Sequence, residues 1–157
     1  MSLEFTQQAL RQFNEIVARY PKKDAAMLPV LYLARQEFGH LSAEVITYVA
    51  EIMDLPVARV YGVVTFYTML SMEPIGRHHI QVCRTLPCAL MGAEKITALL
   101  KAELGIQVGE TTADGKFTLS EVECLASCGT APMMQINDDY YESLSEDRVE
   151  TILENLP

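Results

Sequence analysis

Residues 83–88 read CRTLPC and residues 124–128 read CLASC, and together these stretches hold all four cysteines of a 157-residue chain. Each stretch follows residues typical of a β-strand, residues 79–83 before the first pair and residues 117–123 before the second. We therefore expect both cysteine pairs to lie in loops at the ends of strands.

The rest of the second half predicts a small sheet. Residues 89–104 have the pattern of a helix, and residues 133–136 that of a third strand. Residues 137–139, Asn-Asp-Asp, predict a turn into a fourth strand at Tyr140, and Ser145 is a candidate N-cap of a final helix. The order β, α, β, β, β, α indicates an open sheet with helices packed on it.

The first half predicts helices only. Apolar residues recur at helical spacing in four segments, with Thr6 and Ser42 as N-caps of the first and third, and Pro56 opens the fourth. A Pro-Ile-Gly break then separates this part from the sheet. The sequence therefore predicts an α/β chain with an N-terminal helical bundle in residues 1–76 and a second domain in residues 77–157.

Composition and charge narrow the classes of partner. Half of the residues are hydrophobic, so the chain can bury a core without disulfides, and the formal net charge of −9 argues against nucleic acid or an anionic membrane as the main partner. Nine acidic residues and the single cation Arg148 lie after position 120: Glu121, Glu123, Asp138, Asp139, Glu142, Glu146, Asp147, Glu150 and Glu154. We expect a strongly negative surface near the second cysteine pair.

The sequence shows neither a signal peptide nor a segment suited to membrane insertion. The first residues lack a basic stretch followed by an apolar core, and the longest uncharged apolar stretch, residues 60–72, is shorter than the roughly 20 residues of a membrane span. We therefore expect a cytoplasmic protein with reduced thiols.

Four roles compete for the cysteines: unrelated core thiols, disulfides, a zinc site and an iron–sulfur cluster. A reducing compartment disfavours disulfides. Zinc sites commonly have two residues between paired cysteines, whereas four and three intervene here. A two-iron cluster has a core wider than one ion, and the C-x4-C spacing also occurs in plant-type ferredoxins. Zinc stays open, but the wider loops suit a cluster better.

Three other kinds of site can be compared with the sequence: a Rieske-like centre, a nucleotide site and a helix-turn-helix. His78 and His79 raise the alternative of a Rieske-like centre. His79 is four strand residues, about 13 Å, from Cys83, so we expect both histidines to be solvated or to find hydrogen-bond partners at the start of the strand. No G-x-G-x-x-G or G-x-x-x-x-G-K turn indicates a nucleotide site. Residues 42–67 are similar to a helix-turn-helix, although Arg59 is the only cation in the first five residues of the helix that would read bases.

At these residues the sequence resembles the thioredoxin-like [2Fe-2S] ferredoxins that form the small, flavoprotein-associated subunit of respiratory NADH:quinone oxidoreductase. The resemblance rests on C-x4-C, 35 intervening residues and C-x3-C, followed by GTAPMMQINDDYY, and it spans nearly the whole chain. Supporting segments are VYGVVTFYTML and GETTADGKFTL. Related subunits occur in NAD-linked hydrogenases and NAD-dependent formate dehydrogenases, which are the alternative parents.

The resemblance implies a thioredoxin-like domain and one [2Fe-2S] cluster per chain, with Cys83, Cys88, Cys124 and Cys128 as its ligands. It also implies an electron carrier with no catalytic residues or substrate site of its own. FMN and NADH are expected on the flavoprotein partner only, and the complex is expected at the cytoplasmic face of a membrane. A homodimer of the isolated chain stays open.

Three positions near the cysteines bear on the properties of such a cluster. Members of the family often have glycine where this chain has Ala126, and alanine reaches positive φ less easily. Pro87 removes one backbone donor next to Cys88. Glu121 and Glu123 are expected to share one face of the strand before Cys124, where their charge would disfavour reduction of the cluster.

Overall fold

A computed structural model of the chain describes residues 3–157. The chain divides into two compact units, Met1–Pro74 and Ile75–Pro157. This division lies two residues before the domain boundary expected from the sequence, and the independence of the two domains stays a prediction. Within residues 3–157, no helix has both the length and the apolar character that crossing a membrane requires.

The N-terminal unit is helical. Its helices are α1 (Gln7–Ala18), a 3₁₀ turn (Lys23–Ala26), α2 (Met27–Phe38), α3 (Ala43–Met53) and α4 (Val57–Phe66). The predicted N-caps are confirmed, because the Thr6 hydroxyl accepts the Ala9 N–H at 3.2 Å and the Ser42 hydroxyl accepts the Val45 N–H at 3.4 Å. These bonds satisfy backbone donors that the first helical turn leaves free.

The helices of this unit enclose an apolar core. Val30, Leu31 and Val49 are fully buried within it. At one side, the Phe5 ring stacks on Phe38 with 5.6 Å between ring centroids. The backbone N–H of Phe5 donates to the Tyr48 hydroxyl at 2.9 Å. The periodic apolar residues of the sequence therefore build a self-contained helical core.

The C-terminal unit is a mixed α/β structure. Its elements are β1 (His78–Cys83), α5 (Leu86–Leu90), α6 (Ala93–Leu104), β2 (Phe117–Val122), a 3₁₀ turn (Cys128–Thr130), β3 (Met134–Ile136), β4 (Asp139–Tyr141) and α7 (Glu146–Asn155). The sheet order is β2-β1-β3-β4, with β1 and β2 parallel and the other neighbours antiparallel. The predicted α/β class, with a small open sheet and flanking helices, is confirmed.

The predicted helix over residues 89–104 is wrong at its start, because two helices occupy this region. Gly92 has φ +96°, a left-handed conformation that ends the first helix and permits a new one from Ala93. The shorter helix α5 begins at Leu86, because Pro87 fits the first helical turn. Cys88 therefore lies on a helix, not in the loop that we predicted from the sequence.

The parallel pairing of β1 with β2 brings the cysteine segments to one end of the sheet. The parallel register places Cys83 opposite Val122, so the chain leaves β1 and β2 on the same side. At the other end, Gly76 lies against β2, where an added Cβ would be 2.7 Å from the backbone carbon of Phe117. The Gly76 N–H also donates to the Thr118 hydroxyl at 2.6 Å, so glycine allows the chain to enter β1 close to its neighbour.

Candidate metal centre

The first cysteine pair is buried. Cys83 is the last residue of β1 and Cys88 lies on α5, and their exposed fractions are 2% and 1%. The hydroxyl of Thr85 lies 3.3 Å from the Cys83 sulfur. The strand end and the short helix therefore present two thiols that are shielded from water.

The second cysteine pair is exposed. Cys124 follows β2 and Cys128 begins the 3₁₀ turn. Between them, Ala126 has φ +61°, and its N–H donates to the Cys124 sulfur at 3.2 Å. The residue that departs from the glycine common in the family thus adopts the conformation that glycine favours.

The structure brings all four predicted cysteines to one site. Within each pair one thiol raises the pKa of the other, Cys83 that of Cys88 and Cys124 that of Cys128. Cys128 also interacts electrostatically with both Cys83 and Cys88. The two segments, separated by 35 residues in the sequence, therefore face each other at one end of the sheet.

The environment shifts the pKa values of three of these thiols. Burial opposes ionisation of Cys83, but hydrogen bonds from Thr85, the Leu125 backbone and Cys88 outweigh it and lower its pKa. Burial, followed by the hydrogen bond to Cys83, raises the pKa of Cys88 to about 11. Desolvation and the neighbouring Cys124 raise the pKa of Cys128. Within the buried pair, Cys83 therefore ionises more readily than Cys88.

Backbone groups in and after the second cysteine loop act on the sulfur atoms. The Ala126 N–H donates to the Cys124 sulfur at 3.2 Å, the Leu125 backbone favours ionisation of Cys83 across the site, and the Met133 backbone favours that of Cys88. Such donors stabilise negative charge on sulfur. Four thiols from two facing segments with N–H donors around them fit an anionic, thiolate-bound cluster.

A site for a single metal ion would need ligands that converge on one point. Among the described residues, no group of three or more His, Cys, Asp or Glu side chains is arranged to hold a single metal ion. A two-iron cluster has a wider core than one ion, so its ligands need not gather about a single point.

Both histidines have hydrogen-bond partners along β1, in agreement with the expectation that they are satisfied at the strand. His78 is buried beside Phe117, and its Nε2 lies 2.9 Å from the Pro157 carbonyl oxygen. The Nε2 of His79 lies 2.8 Å from the Ser120 hydroxyl. These contacts hold the histidines along the strand, whose last residue is Cys83.

Glu121 and Glu123 are both exposed, and Val122 between them is buried. Arg84, the residue after Cys83, approaches Glu123 with 2.6 Å between its Nη2 and the carboxylate oxygen. This hydrogen bond and the two carboxylates raise the pKa of Arg84. The acidic face expected from the sequence therefore contains a cation that joins the two cysteine segments.

The helix-turn-helix hypothesis finds little support in α4. Val60, one of the residues that would have to contact bases, is fully buried. Arg59 pairs with Asp24, with 3.3 Å between their nearest side-chain atoms. The cation on which the hypothesis depends is therefore held by a carboxylate of the same unit.

A polar cluster behind the second loop was missed by sequence reasoning. Glu142 accepts hydrogen bonds from the Ser127 and Thr130 hydroxyls, the latter at 2.7 Å. These bonds, that from Ser127 first, lower the pKa of Glu142. Glu142 follows Cys128 by 14 residues, and no local pattern marks the contact.

Comparisons with known proteins agree on one family. The family model described as "Thioredoxin-like [2Fe-2S] ferredoxin" matches residues 13–157. The E-type subunit of NADH-quinone oxidoreductase from Rickettsia conorii is 46% identical over 155 residues, covering 97% of this chain and 93% of that protein. The protein of the same name from Rickettsia prowazekii is 48% identical over 153 residues, covering 96% of this chain and 86% of that protein.

A solved structure shares the fold at lower identity. A crystal structure of NAD+-reducing [NiFe]-hydrogenase in the air-oxidized state matches with a TM-score of 0.72 and 23% sequence identity. The match covers 82% of this chain but only 22% of the hydrogenase chain. At this identity the likeness concerns the fold alone.

Proposed function

The chain belongs to the thioredoxin-like [2Fe-2S] ferredoxin family, and we propose that it is the electron-transfer subunit of an NADH-oxidising complex, equivalent to the E-type subunit of NADH-quinone oxidoreductase. Two relatives of that name match it over nearly their whole lengths at 46% and 48% identity. The cofactor of the chain is a [2Fe-2S] cluster. In this function the chain contributes electron transfer, and the complex as a whole is the enzyme.

The proposed ligands of the single cluster are Cys83, Cys88, Cys124 and Cys128. The observation that carries this proposal is the meeting of four thiols from two segments, with backbone N–H donors around them. When bound, the cluster supplies a carrier for one electron at a time.

The chain's own residues give the site a closed side and an open side. Cys83 and Cys88 are buried, so α5 and the end of β1 exclude water from one side. Cys124 and Cys128 are exposed and leave the other side accessible. Backbone groups in and after the second segment offset negative charge on the sulfurs. Transfer of an electron alone requires no general acid or base from the chain.

The proposed partner is the flavoprotein subunit that binds NADH and FMN. Two exposed apolar areas on separate units support such a partner. On α4 and just after it, Val57, Tyr61, Phe66 and Met69 are exposed, and we call these residues the exposed α4 residues. In the other unit, Leu86, Leu90 and Met91 are exposed on and after the helix that carries Cys88. Exposed apolar patches of this kind mark interaction sites.

The proposed location is the cytoplasm, at the cytoplasmic face of a membrane as part of the complex. A homodimer is the proposed state of the chain when its flavoprotein is absent, because exposed apolar surfaces can also associate with each other.

The equivalent subunit of an NAD-linked hydrogenase or formate dehydrogenase is the second candidate. NAD+-reducing hydrogenase contains the same fold, but at 23% identity this likeness concerns the fold alone, whereas two relatives named for NADH-quinone oxidoreductase match over nearly their whole lengths. Purification of the intact complex from the native cell and identification of its polypeptides separates these parents. A nickel-containing or formate-oxidising subunit in the complex would overturn the first assignment.

The cluster and its ligands are tested on anaerobically purified protein. We expect about two irons and two acid-labile sulfides per chain, and a spin-half signal after reduction. Serine at Cys83, Cys88, Cys124 or Cys128 should remove the cluster or alter its spectrum, whereas Met69→Ser, a control change at an exposed sulfur-bearing residue, should not. Any cysteine variant with an unchanged spectrum and reduction potential would be removed from the ligand set.

A further inference from the structure

We propose that Glu142 is a positioning residue that fixes the second cysteine loop, and with it Cys128, for the cluster. The proposal rests on the ligand role of Cys128 given above. It concerns a residue beyond the cysteines and assigns it a role in electron transfer through the geometry of a ligand.

The contacts of Glu142 reach both sides of Cys128. Its Oε1 accepts hydrogen bonds from the hydroxyl of Ser127, directly before Cys128, and from that of Thr130, two residues after it. The two hydroxyls also lie 2.6 Å apart, and the Thr130 hydroxyl is 3.2 Å from the Ser127 carbonyl oxygen. One carboxylate oxygen thereby closes the short turn that presents the cysteine.

The backbone beside Glu142 strengthens the attachment. The Ser143 N–H donates to the Thr130 carbonyl at 2.7 Å, and the Leu144 N–H donates to the Pro132 carbonyl at 3.0 Å. Ser143 has φ +48°, a strained conformation for a residue other than glycine. The segment after β4 is therefore bent to follow the cysteine loop, with Glu142 as the side-chain part of the contact.

An ionised carboxylate is the suitable group for this role. The two hydroxyl donors lower the pKa of Glu142, so it is charged at neutral pH. Hydrogen bonds to charged groups are stronger than those between neutral groups. Cys124 and Cys128 are themselves exposed, so the bonds to Glu142 act beside a ligand that the core does not enclose.

Two substitutions separate position from charge. Glu142→Gln keeps an oxygen that can accept both hydroxyls but removes the charge, whereas Glu142→Ala removes both. Glu150→Ala, at an exposed glutamate on α7, is the matched control. The holoproteins are compared by amide hydrogen exchange of residues 127–130, the rate of cluster loss to an iron chelator, and the spin-resonance line shape of the reduced protein.

Positioning predicts a graded result. Glu142→Ala should increase exchange at residues 127–130 and the rate of cluster loss by about tenfold or more, with a changed line shape. Glu142→Gln should stay within about threefold of the parent in exchange and cluster loss, and Glu150→Ala should match the parent. Equal exchange and cluster loss in the parent, Glu142→Gln and Glu142→Ala would overturn the proposal.

A second set of variants tests the proposal if Glu142→Ala fails to retain its cluster. Thr130→Val removes one hydroxyl and Thr130→Ser keeps it, so only Thr130→Val should increase exchange and cluster loss. Identical behaviour of these two variants would also overturn the role of Glu142. An intact cluster in Cys128→Ser would instead reject the ligand assignment, while the exchange data on Glu142→Ala would still report whether the loop is held.

Discussion

Ala126 has a backbone conformation that alanine seldom adopts, with φ +61° between the two cysteines of the second loop. A left-handed conformation costs a residue with a Cβ about 1–2 kcal/mol. The conformation directs the Ala126 N–H to the Cys124 sulfur at 3.2 Å, which supports a ligand in the proposed site. The strain and the hydrogen bond therefore come from the same backbone turn.

Glycine at this position should relieve the strain and keep the N–H donor. We expect Ala126→Gly to raise the free energy of unfolding by about 0.5–1 kcal/mol, since the greater freedom of glycine in the unfolded chain offsets part of the gain. Ala131→Gly is the control in the same region, because φ there is −65° and glycine should only destabilise. Denaturant titrations followed by loss of visible absorbance measure both. A lower midpoint for Ala126→Gly would show that the loop carries no relievable strain.

The individual elements show which structural features can be read from a sequence. The caps Thr6, Ser42 and Ser145 are correct because a hydroxyl that accepts a backbone N–H three residues later depends only on local sequence. The start of the helix predicted over residues 89–104 is wrong, because Gly92 suits either a continuous helix with a weak point or the break that the structure shows.

The surroundings of the cysteines depend on tertiary contacts. The spacing of the pairs identifies the four residues but not that Cys83 and Cys88 are buried while Cys124 and Cys128 are exposed. Cys83 ends β1, which lies between β2 and β3, whereas Cys124 follows β2, the first strand in the order of the sheet. Sequence reasoning missed Glu142 for a similar reason, since its contact with the second loop joins residues that no local pattern connects.

The two glutamates at the end of β2 are expected to influence the reduction potential of the cluster. Glu121 and Glu123 are exposed on either side of the buried Val122, so water screens their charge, and Arg84 offsets that of Glu123. Changing both to Gln removes two negative charges near the site and leaves Arg84 without its close partner. The reduction potential should therefore rise, by tens of millivolts at most.

A redox titration followed by spin resonance measures this shift, and Glu150→Gln with Glu154→Gln on α7 is the control pair. The rise should shrink at high salt, because screening weakens interactions between exposed charges. An unchanged potential at low salt, with the cluster intact, would reject the electrostatic effect of β2 without affecting the ligand assignment.

At the scale of the whole molecule, the two units differ in their chemistry. The unit Ile75–Pro157 contains the four cysteines and the acid-rich end of the chain. The unit ending at Pro74 has an apolar core of its own, yet it leaves the exposed α4 residues in contact with solvent. Since the core of this unit does not need these side chains, we infer that the exposed α4 residues contribute to binding the flavoprotein.

Substitution of the exposed α4 residues is expected to weaken binding and to leave the cluster unchanged. Phe66 is 76% exposed and Tyr61 48% exposed, and aromatic residues that become buried at interfaces often contribute more than about 1 kcal/mol each. Tyr61→Ser with Phe66→Ser should therefore weaken binding to the co-expressed NADH-binding flavoprotein by about tenfold or more.

The control variant is Leu10→Ser with Tyr20→Ser, at apolar residues of α1 and just after it that are 40% and 39% exposed, and it should bind like the parent. Affinities are measured by titration of the purified flavoprotein, and iron content and spin resonance confirm that each variant holds its cluster. Equal affinity for the parent and the Tyr61/Phe66 variant would remove α4 from the interface and leave the surface around Leu86, Leu90 and Met91 as the candidate contact.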